Sequence, residues 1–523
     1  MTNDILTTVN TRTTPQNLRA DPAQVLNAAG GYVFKVDDEA RLRRFLTLGT
    51  NGGTYYASAK DITFDNYDVL KRFAVADSRR MVDVIVDVST RGAAPKQNPA
   101  LFALAYAAAH GERAYALDQL PLVARTGTHL FLFAKYVEQF RGWGRGLRVA
   151  VSDWYVGKSP DDVAYQAVKY QSREGWSHRD LLRLAHPVTI TPAMNAAFAW
   201  IVNGSTSDET PHLITGYLKA QEPGADIPAL IRKHGLSWEM LPDTALADVK
   251  VWDALLDRGM PMTALIRQLP RLTRLGMLPQ VGGRTAEVVA RLTDPEKLQK
   301  ARVHPMNVLV AQRTYASGRS LKGSSEWEPT PAIIDGLDAM FYAAYGSVEP
   351  AGKRTLIALD VSGSMGWGNI AGLPLTPREA SAALSLVTMA TEPECAVIGF
   401  GHQPIPLTIS PKQRLDDAIR AISNLPFGGT DCAIPMLWAL DKKLEIDIFL
   451  VITDNETHSG RTHPHQALQR YRDKTGIPAK MVVVGMTATE CSIADPKDPT
   501  GMLDIAGFDV AVPQLIANFS RGL

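Results

Sequence analysis

The sequence predicts a multidomain protein with an all-helical region over residues 15–350 and a doubly wound parallel-sheet α/β domain over residues 351–523. Three observations carry this. The 523 residues exceed what one hydrophobic core supports. The first two thirds repeat apolar residues at helical spacing. Near GSVEPAGKRTLIALD (346–360) the rhythm then changes to short apolar runs alternating with helical segments.

In the first region, DDEARLRRFLTLG (37–49), PALFALAYAAAHG (99–111), DDVAYQAVKY (161–170), ALADVKVWDALLDRG (245–259) and MTALIRQLPRLTRLG (262–276) place apolar residues at i, i+3/i+4 and i+7. Short Gly, Pro, Asn or Ser connections separate them, and no convincing alternating strand is found. Many helices in short-loop pairs predict an α-solenoid, although no clean repeated motif accompanies them. In the second region, TLIALD (355–360), CAVIGF (395–400), IDIFLVITD (446–454) and MVVVGM (481–486) are apolar on both faces, as strands of a helix-covered parallel sheet must be.

Composition narrows the function classes. Apolar residues make up 45% and charged residues 21%, and the net charge is +1. This is a globular balance with no overall bias toward nucleic acid. No apolar run approaches the ~18 residues that span a bilayer, so no membrane partner is expected. The polar N-terminus MTNDILTTVNTRTTPQNLRADP lacks the apolar core of an export signal. Cys395, Cys432 and Cys491 are not in metal-ligand spacing and read as reduced. Together these predict a cytoplasmic protein.

Asp360, Ser362 and Ser364 form a DxSxS loop directly after the first predicted strand, where open α/β sheets bind ligands. Thr430, in GGTD, and Asp454, ending IDIFLVITD, add a third hydroxyl and a second carboxylate. A hard cation such as Mg²⁺ takes such oxygen ligands and keeps several waters. The five residues resemble the metal-ion-dependent adhesion site of von Willebrand factor A domains. In that family the serines and threonine touch the metal, the aspartates often act through water, and a partner's carboxylate fills an open position. A DxSGS loop that is only a turn, or a metal site that recruits nothing, also fits these residues. Aspartyl phosphate chemistry at Asp360 would need an acid/base carboxylate where Ser362 stands, and no Walker loop is present. His458, His463 and His465 raise a nuclease, but their place at a helix start reads as surface. The chain is therefore expected not to be an enzyme.

Basic residues cluster in the helical region. In YQSREGWSHRDLLRLAHP (170–187), Ser177 and Asp180 form a capping pattern, and Arg179, Arg183 and His186 share one face at i, i+4, i+7. The preceding helix, opened by Ser159-Pro160, is expected to end with Lys169 and Arg173 four apart. His178 and Arg179 fall in the first turn, where free backbone N–H groups favour an anion. Residues 125–148 add Arg125, Lys135, Arg141, Arg145 and Arg148, interleaved with Tyr136 and Trp143. Phosphates take the cations and bases stack on the rings. A solvated helix face would look the same from either segment alone; two neighbouring basic stripes favour an RNA.

The strings GTHLFLFAKYVEQFRGWGRGLRVAVSDWYVGK (127–158), AYQAVKYQSREGWSHRDLLRLAHP (164–187) and STRGAAPKQNPALFALAYAA (89–108) resemble the TROVE module of the Ro ribonucleoprotein family. A helical module followed by an A domain is that family's layout. The resemblance implies a ring-like α-solenoid of HEAT-type repeats, functioning as a monomer. It also implies small noncoding Y RNA on the outer basic surface and single-stranded 3′ ends of misfolded RNAs in a central hole. The family's Y RNA-contacting positions fall on Lys169, Arg173 and His186, and Arg125, Arg141, Arg145 and Arg179 are the candidates for lining the hole. Implied partners include 3′→5′ exoribonucleases, and implied settings are RNA quality control, rRNA processing and stress response. A metal-dependent protein-interaction scaffold without RNA is the alternative reading.

Overall fold

The computed structural model describes residues 13–49, 59–189, 191–320, 323–346, 348–370, 373–423, 425, 428–509 and 511–523, with side chains from Tyr67 onward in the helix Ala59–Ala76. The first twelve residues, used above against an export signal, lie outside this set. Among the described residues no helix is long and apolar enough to cross a membrane.

The helical region follows the expected periodicity. Helices Asp38–Leu48, Asn98–His110, Pro160–Lys169, Val249–Arg258 and Met262–Arg274 lie over the five amphipathic segments named above. Several are started by side-chain caps, such as Ser159 accepting from the Asp162 N–H and Asp294 from the Lys297 N–H. Each such cap satisfies a donor that the helix itself leaves unpaired.

The array closes on itself. Arg302 donates to Thr90 O at 2.7 Å, His304 Nε2 to Ala93 O at 3.1 Å and Asn307 Nδ2 to Pro95 O at 3.3 Å. These bonds join segments more than 200 residues apart.

Among the described residues, eleven strands carry the rest of the architecture. β1 (Gln24–Leu26) and β2 (Tyr32–Lys35) form a hairpin, and β3 (Ser172–Arg173) and β4 (Trp176–Ser177) a second, smaller one. The C-terminal domain contributes β5 (Thr355–Asp360), β6 (Cys395–Phe400), β7 (Pro404–Pro406), β8 (Ile448–Thr453), β9 (Lys480–Gly485), β10 (Cys491–Ser492) and β11 (Met502–Ala506). Its six-stranded sheet runs in the order β11-β9-β8-β5-β6-β7, parallel except for β7. Ile357 and Leu359 pack with helix Pro377–Thr391 on one face. Leu356 and Ala358 pack with helices Ile434–Asp441 and Pro464–Thr475 on the other. This is the doubly wound arrangement that runs of β-strand apolar on both faces require.

The N-terminus departs from expectation. No strand was predicted before residue 350, yet β1 and β2 pair with β10 in a three-stranded sheet of their own. Residues 13–36 therefore lie on the C-terminal domain, not among the helices. The helix Asp38–Leu48 packs among the helices and also reaches the domain: Arg44, 1% exposed, ion-pairs with Asp504 at 2.5 Å and donates to Cys491 O at 2.7 Å. The physical reason is the run Gly30-Gly31-Tyr-Val-Phe-Lys, a glycine turn followed by strand-favouring residues.

Candidate metal centre and nucleic-acid interface

Parallel strands β5 and β8 are neighbours in register, with Leu359 opposite Ile452. Asp360, the last residue of β5, and Asp454, the first after β8, therefore emerge at the same sheet edge. Asp360 Oδ1 accepts the Ser362 N–H at 2.9 Å, which turns the DxSxS loop back over the strand end. Its Oδ2 accepts the Thr453 hydroxyl at 2.6 Å. Ser362 Oγ and Ser364 Oγ stand 3.0 Å apart. The Arg378 guanidinium, buried behind the loop, holds the Val361 and Ser362 carbonyls at 2.6 and 2.7 Å.

Thr430 and Asp454 complete the set. All five residues are buried, the most exposed being Ser364 at 3%. Asp454 Oδ1 accepts the Glu456 N–H at 3.0 Å, whereas Asp454 Oδ2 and Thr430 Oγ1 are buried and have no hydrogen-bond partner among the described residues. Burial, then the Asp360 and Glu456 charges, push the Asp454 carboxyl well above its ordinary range. Burial likewise raises Asp360, against its bonds from Ser362 and Thr453. Two buried carboxylates and an orphaned hydroxyl on neighbouring strand-end loops are costly unless a cation compensates them. Among the described residues no group of three or more His, Cys, Asp or Glu side chains is placed to hold a metal. The donor set here is instead two carboxylates and three hydroxyls, a mixture that fits a hard divalent cation.

The two basic segments of the helical region meet in space. Trp143, beyond helix Gly127–Phe140, packs on Trp176 of β4 with ring centroids 5.2 Å apart. Lys135 of the same helix pairs with Glu174 at the β3–β4 turn at 2.6 Å. Arg141, Arg145, Arg148, Arg173, Arg179, Arg183 and His186, in the two segments joined by this contact, are all exposed. Among the described residues Arg141, Arg145, Arg179 and Arg183 have no ion-pair partner.

Four expectations are corrected here. His178 is 3% exposed: Tyr155 Oη lies 2.7 Å from its Nδ1, Gln166 O 3.2 Å from its Nε2, and the ring stacks on Trp154. Burial lowers its pKa to about 4, so it is a neutral core residue with no access to an anion. Arg173 is not on a helix, because the chain leaves helix Pro160–Lys169 at Tyr170 and turns through Glu174 and Gly175, both at positive φ. His186 does not continue the Arg179/Arg183 face in helical register; it is the left-handed C-cap, at φ +48°. His463, read as a surface residue, is buried beneath the N-terminal segment, where Leu18 O lies 2.8 Å from its Nε2.

Two further nominations are less free than their sequence suggested. Lys169 has a side chain only 12% exposed and is held by Tyr165 Oη at 2.8 Å and Glu239 at 3.5 Å. Arg125 is exposed but donates to Ser89 O, Ser89 Oγ and Leu122 O. The Ser177/Asp180 capping box forms as expected, with Asp180 Oδ2 accepting the Ser177 N–H at 3.0 Å.

A closed helical array joined to an A-type domain whose strand-end loops bury two carboxylates and three hydroxyls defines the class of fold. The family described as TROVE domain matches residues 25–210 and 231–314, and the Ro60 vWA domain matches residues 354–520. The chain is 42% identical over 530 residues to the RNA-binding protein RO60 of Deinococcus radiodurans, covering 99% of both. It is 36% identical over 584 residues to that of Caenorhabditis elegans, covering 95% of this chain and 90% of the relative. The crystal structure of the Deinococcus radiodurans RO (RSR) protein superposes with a TM-score of 0.70 over 93% of this chain and 100% of that one. The chain belongs to the Ro family of RNA-binding proteins.

Proposed function

We propose that this protein is an RNA scaffold that binds small noncoding Y RNA on the basic surface around Trp143 and Trp176. Single-stranded 3′ ends of misfolded or processed RNAs enter the closed helical array, and the protein performs no chemistry on them. The observation that supports this reading best is the meeting of the two basic segments. It brings the segment that carries Arg141 and Arg145 against the hairpin and helix that carry Arg173, Arg179, Arg183 and His186, all six of them exposed. Backbone phosphates are met by such guanidinium groups, and the affinity is then salt-dependent. A gel-shift series in rising salt tests it: affinity should fall by roughly 0.7 log units per log unit of salt for each single-strand phosphate contacted. Affinity that ignores salt, or that persists in an R173A/R179A/R183A variant, rejects it.

At the A domain, Ser362, Ser364, Thr430, Asp360 and Asp454 would hold one Mg²⁺, which supplies an open coordination position for a partner's carboxylate. The buried, unpartnered Asp454 Oδ2 and Thr430 Oγ1 support this. The partners proposed are 3′→5′ exoribonucleases, in RNA quality control, rRNA processing or stress response, with the protein a cytoplasmic monomer. The same observation favours the second reading, a metal-dependent protein scaffold that needs no RNA. Y RNA binding by the purified chain, unchanged in an Asp360→Ala variant, separates the two.

A further inference from the structure

We infer that Gln16 is a positioning residue of the cation site, so that the N-terminal segment is part of the metal centre. This rests on the cation reading just given. Gln16 is 0% exposed, although it lies in a polar stretch that no periodicity marks. Its Nε2 donates to Asp431 Oδ1 at 2.7 Å and to Thr462 O at 2.8 Å. Its Oε1 accepts the Thr457 hydroxyl at 2.5 Å and the Gly460 N–H at 3.3 Å. Its backbone N–H donates to Gly460 O at 2.9 Å, and its carbonyl accepts the Tyr32 N–H at 2.8 Å. Every donor and two acceptor lone pairs of the side chain are thus in use.

The partners are what give this significance. Asp431 directly follows the ligand Thr430, and Thr457 to Thr462 form the loop that leaves the ligand Asp454. The two loops are laced directly as well: Thr430 O accepts the His458 and Ser459 N–H groups at 3.0 and 3.1 Å, and the Cys432 N–H reaches Thr457 Oγ1 at 3.0 Å. Gln16 is wedged between them and sets their spacing. The fit is close, since a Cβ at Gly460 would stand 2.3 Å from Gln16 Nε2 and 2.4 Å from Asp431 Oδ1. Asn27 adds a second hold on the same loop, donating to Asn455 O at 3.3 Å and Thr457 O at 2.9 Å. Groups that orient ligands in this way govern metal affinity although they never touch the ion.

The test uses the full chain. Mg²⁺ and Mn²⁺ dissociation constants are measured by calorimetry, and the unfolding temperature is measured with chelator and with cation. Gln16→Ala should weaken the cation by about 10–100-fold and shrink the cation-induced rise in unfolding temperature, with RNA affinity unchanged. Gln24→Ala, which removes a contact to His463 in the same segment, should lower the cation-free unfolding temperature and leave the cation affinity as it was. Gly460→Ala, which forces Gln16 and Asp431 apart without removing either, should also weaken the cation, and decides the matter if Gln16→Ala does not fold. A folded Gln16→Ala protein with wild-type cation affinity overturns the inference alone. Wild-type protein that takes up neither ion, or an Asp360→Ala variant that takes them equally well, overturns the cation reading together with it.

Discussion

His304 Nε2 lies 2.8 Å from the carbonyl oxygen of Phe508, and the same nitrogen reaches Ala93 O at 3.1 Å. One imidazole therefore joins the closing seam of the helical array to the A domain. Its Nδ1 accepts the Met306 N–H at 3.1 Å and caps helix Pro305–Ala316. These partners require Nε2 to carry the proton and Nδ1 to be free of one.

The neutral requirement predicts a pH dependence. Burial lowers the His304 pKa to about 4, from about 6.5 in an unfolded chain. Between those values the unfolded state binds more protons, so the stability from His304 is present above about pH 6.5 and lost as pH falls toward 4. The full effect is on the order of 3 kcal/mol. A His304→Gln variant should be less stable at pH 7 and lose less stability between pH 6.5 and 4.5, read by urea unfolding. His129, His178 and His465 are also lowered to about 4 and contribute to the slope that remains.

Burial separates two residues that adjoin in sequence. His178→Ala should destabilise the protein by about 2–4 kcal/mol, because it empties a packed site and strands the Tyr155 hydroxyl. Arg179→Ala, at an exposed position, should leave the unfolding temperature unchanged and weaken RNA binding in the gel shift. Equal RNA defects in two equally stable variants would contradict this placement.

At the hairpin tip, Glu174 is paired with Lys135 and lies 3.9 Å from the exposed Arg173. Surface pairs of this kind add little stability. Glu174→Gln should therefore leave thermal unfolding unchanged and tighten RNA binding, most visibly at low salt.

The cation site predicts opposite effects with and without metal. Asp454→Asn removes one of two buried carboxylates, so in chelator the variant should unfold at a higher temperature than wild type. Addition of Mg²⁺ should raise the wild-type unfolding temperature and leave the variant's unchanged. A wild-type protein indifferent to Mg²⁺ would refute this.

Much of the second domain was legible because its signals are local. An apolar run ending in Asp360 or followed by Asp454 marks a strand and its carboxyl end together, and parallel pairing then brings the two ends to one edge. The Ser177/Asp180 cap and the basic residues around it were legible for the same reason. Burial was not. The sequence places His178 beside Arg179 in one helical turn, but which faces the core depends on Phe131, Trp154 and Tyr155 arriving from other helices.

By itself, then, the sequence determined the helical array, the parallel sheet, the oxygen-bearing residues at its strand ends and the charge of the segments around Trp143 and Trp176, because each is written in spacings of two to seven residues. Tertiary structure alone decided that Gln16 ties the Asp431 loop to the 457–462 loop, that a neutral His304 closes the seam, and that Arg173 stands on a hairpin tied to a neighbouring helix. These contacts link residues as distant as Gln16 and Asp431, 415 positions apart, and no local periodicity encodes a hydrogen bond of that range.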